Sequence, residues 1–301
     1  MTFSLVHLSD THFGGKGDPA LIEAVEALVP DLDPRCIVVS GDLSQRARHG
    51  EFQAARALVR ELERTAPVYV IPGNHDVQWW TRPFVPFAGG SKYAKYRQYF
   101  GAALAPTLTF PEAIVAGAVT SHGVAWGSLT WRVRDIAVKG HLPRREIRRV
   151  AAVFAQARPE QARILVLHHN VLRGDLSGRM GLARWRQAHR LIAASGAEVV
   201  LCGHDHQEQA DLLERRLVVS CAGTLSRGSR GGRPPVFNRV ILDEQAVHVE
   251  LYRWDGSLRT FRRSDVHAFA RASRPDAVAG EDRAQAGGGR PVASLKPTGT
   301  A

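Results

Sequence analysis

Short apolar, β-branched runs recur along this chain, and most end in a small polar cluster. The runs cover residues 3–8, 36–40, 68–71, 164–167, 198–202, 217–220, 236–242 and 247–252. Stretches with helical character, residues 20–28, 51–64 and 182–194, separate the first five. That alternation predicts βαβ units with buried parallel strands. The last three runs have no helical stretch between them. They predict consecutive, largely antiparallel strands in a second sheet. Within residues 144–154, Ile147, Val150, Ala151 and Phe154 recur at helical spacing, which leaves Arg144, Arg145, Arg148 and Arg149 for the wet face. By the same reading Leu182, Trp185 and Ile192 face inward, and Arg184, Arg186 and Arg190 face out.

Two regions break the pattern. Residues 77–110 hold Trp79, Trp80, Phe84, Phe87, Tyr93, Tyr96, Tyr99, Phe100 and Phe110, far denser in aromatics than the rest. We read 77–120 as an insertion or cap; the alternative is a satellite core under a long insertion. From about residue 274 the chain turns to Gly, Ala, Pro and charge without a core-forming pattern, so 274–301 reads as a disordered tail. The expected folded domain is 1–265.

The polar clusters are Asp10-Thr11-His12, Gly41-Asp42, Gly73-Asn74-His75-Asp76, His168-His169 and Gly203-His204-Asp205-His206. Each follows a predicted strand, where open α/β sheets gather their ligands. Asp10 and His12, and likewise His204 and His206, are spaced i, i+2, which on an extended segment puts both side chains on one face. Carboxylate, imidazole and carboxamide suit Mn, Fe, Zn or Mg rather than a thiolate-loving metal. Seven such groups exceed the needs of one ion. They divide into two four-ligand sets if one carboxylate bridges, and Asp42 is the best bridging candidate.

These residues resemble the signatures of the calcineurin-like metallophosphoesterases, nearest to bacterial cyclic-nucleotide and glycerophosphodiester phosphodiesterases. The resemblance implies a four-layer αββα sandwich of two mixed β-sheets and a centre of two divalent metals. It implies that Asp10, His12, Asp42 and His206 hold one ion, and Asp42, Asn74, His168 and His204 the other. Asn74 and His75 would meet the substrate phosphate, with Asp76 orienting His75 or serving only as a turn residue. His169 is a partner of the site or a plain core histidine, and Trp79 is a further candidate for substrate contact. The chain departs from those bacterial groups at His168-His169-Asn170-Val171, where two prolines usually follow the paired histidines.

Composition changes this picture little. The 301 residues carry a formal charge of +11, which we assign mainly to Arg on solvated helix faces. No basic-then-apolar leader opens the sequence, no run reaches the length of a membrane span, and Cys36, Cys202 and Cys221 lie in or beside apolar runs. Together these give an expectation of reduced thiols and a cytoplasmic location. The basic loop 223–235, with Arg227, Arg230 and Arg233, reads as surface, the alternative being contact with an anionic substrate. The expected activity is hydrolysis of a small phosphodiester such as a cyclic nucleotide. A nucleotide-lipid pyrophosphatase at a membrane surface and a nuclease are the alternatives; a non-enzymatic scaffold is disfavoured because no ligand position is lost.

Overall fold

The computed structural model describes residues 2–78, 92–122 and 139–271. Two six-stranded sheets face one another. The first has the order β12-β11-β10-β1-β2-β3 and the second β4-β5-β6-β7-β9-β8. In the first sheet, β1 (Phe3–Leu8), β2 (Cys36–Val39) and β3 (Val68–Val70) run parallel, as the apolar runs predicted. The second sheet is built on parallel β5 (Ala113–Gly117), β6 (Ala162–His169), β7 (Val199–Gly203) and β9 (Leu217–Cys221). β4 (Thr107–Thr109) and β8 (Gln209–Leu213) close its edges in antiparallel register.

The three carboxy-terminal strands correct the expected topology. β10 (Val236–Leu242), β11 (Ala246–Asp255) and β12 (Thr260–Ala270) are consecutive and antiparallel, but they extend the first sheet through β1. Residues 217–221 instead pair in parallel with β7 in the second sheet. The difference lies in what each strand meets: Val240 and Leu242 face the inter-sheet core beside Phe3 and Leu5.

That core is apolar on both sides, with Leu5, Val38, Tyr69 and Val249 from one sheet against Val115, Ile164, Val166 and Leu201 from the other. Burying each such side chain favours folding by about 1.5–3 kcal/mol, which is why the central strands are nearly continuous runs of Val, Ile and Leu. Helices cover the outer faces. α1 (Pro19–Leu28) starts where the Asp18 carboxylate accepts from Ala20 N at 3.1 Å, with proline at its first position. α2 (His49–Leu62) lays Phe52, Ala55, Leu58 and Leu62 on the first sheet. α3 (Ala94–Phe100) adds Tyr96, Tyr99 and Phe100, whose rings lie 6.3, 5.7 and 6.1 Å from that of Phe52. α4 (Arg144–Phe154) and α5 (Trp185–Ala193) cover the second sheet through Ile147, Val150, Phe154, Ala188 and Ile192.

Two side chains on these helices depart from the expected pattern. Trp185 is half-buried, with the Arg186 guanidinium 4.5 Å above its ring. Arg149 turns inward and donates to the Gly117 carbonyl at 2.6 Å. Of the aromatic-rich region, Trp79, Trp80, Phe84 and Phe87 lie outside the described residues, while Tyr93 and Tyr96 are buried against the first sheet's helices. The three cysteines are free and buried. Among the described residues, no helix is long and apolar enough to cross a membrane.

Candidate metal centre

The carboxyl ends of β1, β2 and β3 meet those of β6 and β7, and all seven candidate ligands converge there. Asp10 and His12 follow β1, Asp42 follows β2 and Asn74 follows β3. His168 ends β6, and His204 and His206 follow β7. Asp10, His12, Asp42, Asn74 and His168 are buried; His204 and His206 are half-buried.

Their backbones differ from the expected extended segments. Asp10, His12, Asp42, His204 and His206 all have positive φ, between 45° and 74°. Non-glycine residues rarely occupy the left-handed region, at a cost of about 1–3 kcal/mol each, and they cluster where function over-determines the backbone. The sharp turns achieve what i, i+2 alternation was expected to achieve, delivering both residues of each pair to one point. Two glycines permit the approach of neighbouring loops. A Cβ on Gly41, whose φ is +101°, would lie 2.7 Å from Gly73 N, and one on Gly73 would lie 2.1 Å from Asp42 N.

One group comprises Asp10, His12, Asp42 and His206, whose ligand atoms lie within 4.8 Å of one another. His206 Nε2 is 3.2 Å from Asp10 Oδ1 and 2.9 Å from His12 Nε2. The second group gathers His168, His169 and His204 within the same limit. Asn74 belongs with it, since Asn74 Oδ1 is 3.1 Å from His168 Nε2 and 2.9 Å from His204 Nδ1. Asp42 Oδ2 stands between the groups, 3.8 Å from His12 Nε2 and 3.3 Å from His168 Nε2.

The hydrogen bonds around the ligands fit this donor set to cations. Each carboxylate has one oxygen committed and one left for the centre. Asp10 Oδ2 accepts from Ser9 Oγ at 2.5 Å and His204 N at 3.0 Å, while buried Oδ1 has no hydrogen-bond partner. Asp42 Oδ1 accepts from His75 N at 2.8 Å, leaving Oδ2 between the two groups. His206 Nδ1 donates to the Gly228 carbonyl at 2.9 Å and His168 Nδ1 to that of Ser40 at 2.8 Å. In each neutral ring this leaves the Nε2 lone pair facing the centre, the tautomer a metal requires.

The electrostatics have the same direction. Burial raises Asp10, but the neighbouring His12 and His206 rings outweigh it and hold the carboxyl well below its ordinary range. Burial opposes ionisation of Asp42 too, and the charges of His168 and His75 overcome it. Burial works against a proton on His168, yet Asp42 pushes that ring up to about 9; burial and the His168 charge take His204 down to about 3. Without metal, the two carboxylates therefore remain anionic and draw in positive charge.

His75 takes its orientation from an unexpected neighbour. Its Nδ1 donates to the Gln45 carbonyl at 2.8 Å, leaving the other ring nitrogen for the cleft that His75 lines. Asp76 was expected to orient this ring, but its carboxylate is fully committed elsewhere. It accepts from Leu43 N at 3.1 Å, Ser44 N and Ser44 Oγ at 2.8 Å, and Gly73 N at 2.9 Å. Asp76 thus ties the loop after β2 to the loop after β3, and burial and the Asp42 charge push it up to about 6. Gln45 lies 30 positions from His75, with no spacing that marks it.

His169 is buried beside the second group. Its Nδ1 pairs with Thr120 Oγ1 at 2.8 Å, and its ring centroid is 4.4 Å from that of His204. Trp79 lies outside the described residues. In the basic loop, Arg227 pairs with Asp18 and Arg233 with Glu208, whereas Arg230 pairs with Asp205 and reaches the cleft. The cleft has a volume of about 170 Å³ and is also lined by Asn170, and by Lys139 and Arg179, which carried no signature in the sequence.

An α/β sandwich with two histidine–carboxylate groups sharing one aspartate defines the class of binuclear metallohydrolases. A model of the calcineurin-like phosphoesterase family matches residues 3–208, and the chain belongs to that family. It is 27% identical over 223 residues to glycerophosphodiester phosphodiesterase GpdQ from Enterobacter lignolyticus, covering 67% of this chain and 70% of that protein. Solved structures are similar in fold. A dimetal phosphatase from Danio rerio matches with a TM-score of 0.61 at 11% identity, over 89% of this chain and 98% of that one. The purple acid phosphatase PPD1 of yellow lupin matches with a TM-score of 0.61 at 12% identity, over 90% and 54%.

Proposed function

We propose that this member hydrolyses small phosphodiesters. The observation that carries the binuclear site is Asp42 Oδ2, one carboxylate oxygen facing both histidine groups. The preference for diesters is supported by the likeness to the glycerophosphodiester phosphodiesterase.

In this reading Asp10, His12, Asp42 and His206 hold one divalent ion, and Asp42, Asn74, His168 and His204 hold the other. Manganese, iron, zinc or magnesium suits such donors. When bound, the pair supplies an acidified water as nucleophile and neutralises charge on the phosphoryl oxygens. The protein's own contribution is placement. Ser9, Ser40 and Gly228 hold Asp10, His168 and His206 in fixed orientations, so little reorganisation accompanies reaction. His75, fixed through Nδ1 by Gln45, presents its second nitrogen to the leaving oxygen and supplies a proton or a hydrogen bond there. Small diesters suit a cleft of about 170 Å³, below the usual ~300–1,000 Å³ of a drug-sized pocket.

The test is hydrolysis of bis(p-nitrophenyl) phosphate and p-nitrophenyl phosphate by protein reconstituted with each metal in turn. Faster turnover of the diester at two bound ions per chain is the expected result. Turnover of the monoester alone overturns the diesterase reading.

A further inference from the structure

The cleft carries more positive charge than a simple diester needs. Besides the candidate ligands and His75, its charged lining among the described residues consists of Lys139, Arg179, Arg230 and Asp205. Asp205 is buried, and its Oδ1 pairs with Arg230 at 3.2 Å, so these two charges offset one another. Arg179 is exposed, and its guanidinium meets no carboxylate within ion-pair distance among the described residues. The scissile phosphate of a diester bears one negative charge, and the metal centre already answers it. Arg179 is therefore surplus to the reaction at phosphorus.

Its placement is not accidental to a loose loop. Residues 170–184 connect β6 to α5 and are fastened along their length. Asn170 Nδ2 donates to the carbonyls of Leu172 at 2.8 Å and Arg179 at 3.3 Å. Gly174 N also donates to Arg179 O, at 3.0 Å, and Arg179 N donates to Ser177 Oγ at 3.1 Å. Ser177 Oγ in turn donates to Asp205 Oδ2 at 2.6 Å, and Leu176 N to Gln207 Oε1 at 2.9 Å. Asp205 and Gln207 flank His206, so the loop that carries Arg179 is built onto the strand end that carries two candidate metal ligands. Both backbone polar groups of Arg179 are committed, and the residue lies on the lining of the cleft.

We propose that Arg179, with Lys139 on the same lining, binds a second anionic group of the substrate, a phosphate monoester at the end of one arm of the diester. The inference rests on the diesterase reading and narrows it from small diesters in general to diesters bearing a terminal phosphate. A guanidinium suits this task because its planar fork bonds two phosphate oxygens at once.

Thymidylyl-thymidine with and without a 5′-phosphate tests the idea, since the two dinucleotides share one scissile bond and differ only in the terminal group. Metal-loaded protein is expected to favour the phosphorylated form in kcat/KM by about 10–100-fold, the range of one charge-assisted contact. Arg179→Gln is expected to bring that ratio to within about threefold of unity, mainly through KM, and Arg179→Lys to restore part of it. Calorimetry on metal-free protein provides a readout independent of turnover. The phosphorylated dinucleotide should bind about tenfold tighter than its partner to the parent protein and equally weakly to Arg179→Gln. Equal preference by the parent protein in both assays, or a ratio preserved in Arg179→Gln, overturns the proposal. Absence of diester turnover with every metal overturns the diesterase reading instead, and the metal-free binding difference still decides the role of Arg179.

Discussion

Asp76→Asn exchanges one acceptor oxygen of a buried carboxylate for a donor of the same shape. In the native protein Oδ1 serves Ser44 N and Ser44 Oγ, and Oδ2 serves Leu43 N and Gly73 N. The least costly amide orientation puts the new NH2 at the Oδ1 position, where the Ser44 hydroxyl can reverse and accept. One buried backbone N–H then faces a donor, a loss of about 1–3 kcal/mol, and the two remaining bonds lose their charge assistance. The sum is about 2–4 kcal/mol, or about 4–8 °C in the melting temperature of a domain this size. Measured with metal bound, where cations beside Asp42 offset its repulsion of Asp76, the effect appears in full. Turnover per metal-loaded molecule should fall less than about tenfold, because the Gln45 carbonyl, not Asp76, holds the His75 ring. Thermal unfolding, metal analysis and kcat on the same preparation separate the outcomes. An unchanged melting temperature with kcat reduced a hundredfold or more would refute this reasoning and make Asp76 a direct partner of the reaction.

Asp42→Ala should lose metal at both positions, since one oxygen serves both groups; elemental analysis finding two ions per chain contradicts the bridging assignment. His75→Ala should retain both ions, because its bond to Asp42 comes from the backbone, while kcat falls by about 10²–10⁴; an empty site in that variant counts against the assigned role. His7 is buried between Ser40 and Ser220, and burial takes it down to about 3. The unfolded chain protonates first as pH falls through ~6.5, so this stability is present above 6.5 and is lost toward 3, with about 2 kcal/mol gone at pH 5. Urea titrations of His7→Gln should show a shallower loss of stability between pH 6.5 and 4.5, and an identical slope excludes the linkage.

What the sequence made legible was local. Asp10-Thr11-His12 and Gly203-His204-Asp205-His206 announce themselves because ligand chemistry concentrates within a few residues after a buried strand. The parallel strands β1, β2, β3, β6 and β7 were equally plain, since burial leaves little but Val, Ile and Leu, whereas β5 was not among the runs and residues 217–220 were read as antiparallel. Readings failed where the partner is distant. The acceptor for His75 is a backbone carbonyl, which no side-chain pattern encodes, and the loop bearing Arg179 takes its form from Asp205 and Gln207 across a strand end. β12 escaped notice for a different reason: residues 262–268 are exposed throughout, so no hydrophobic alternation marks them. Trp185 sits at the start of α5, where a wet flank and a cationic neighbour replace the expected core.

The division of the candidate ligands between sheets has a mechanical meaning. Asp10, His12, Asp42 and Asn74 ride on the first sheet, and His168, His204 and His206 on the second. The two sheets share no strand, so a bound metal pair acts as a rivet at one end of the sandwich. Chelation should let that end open before the rest of the molecule yields. Amides at the carboxyl ends of β1 and β6 should then exchange with solvent sooner, while the Leu5–Ile164 region of the core stays protected. Catalysis and the seam between the sheets would thus depend on the same two ions.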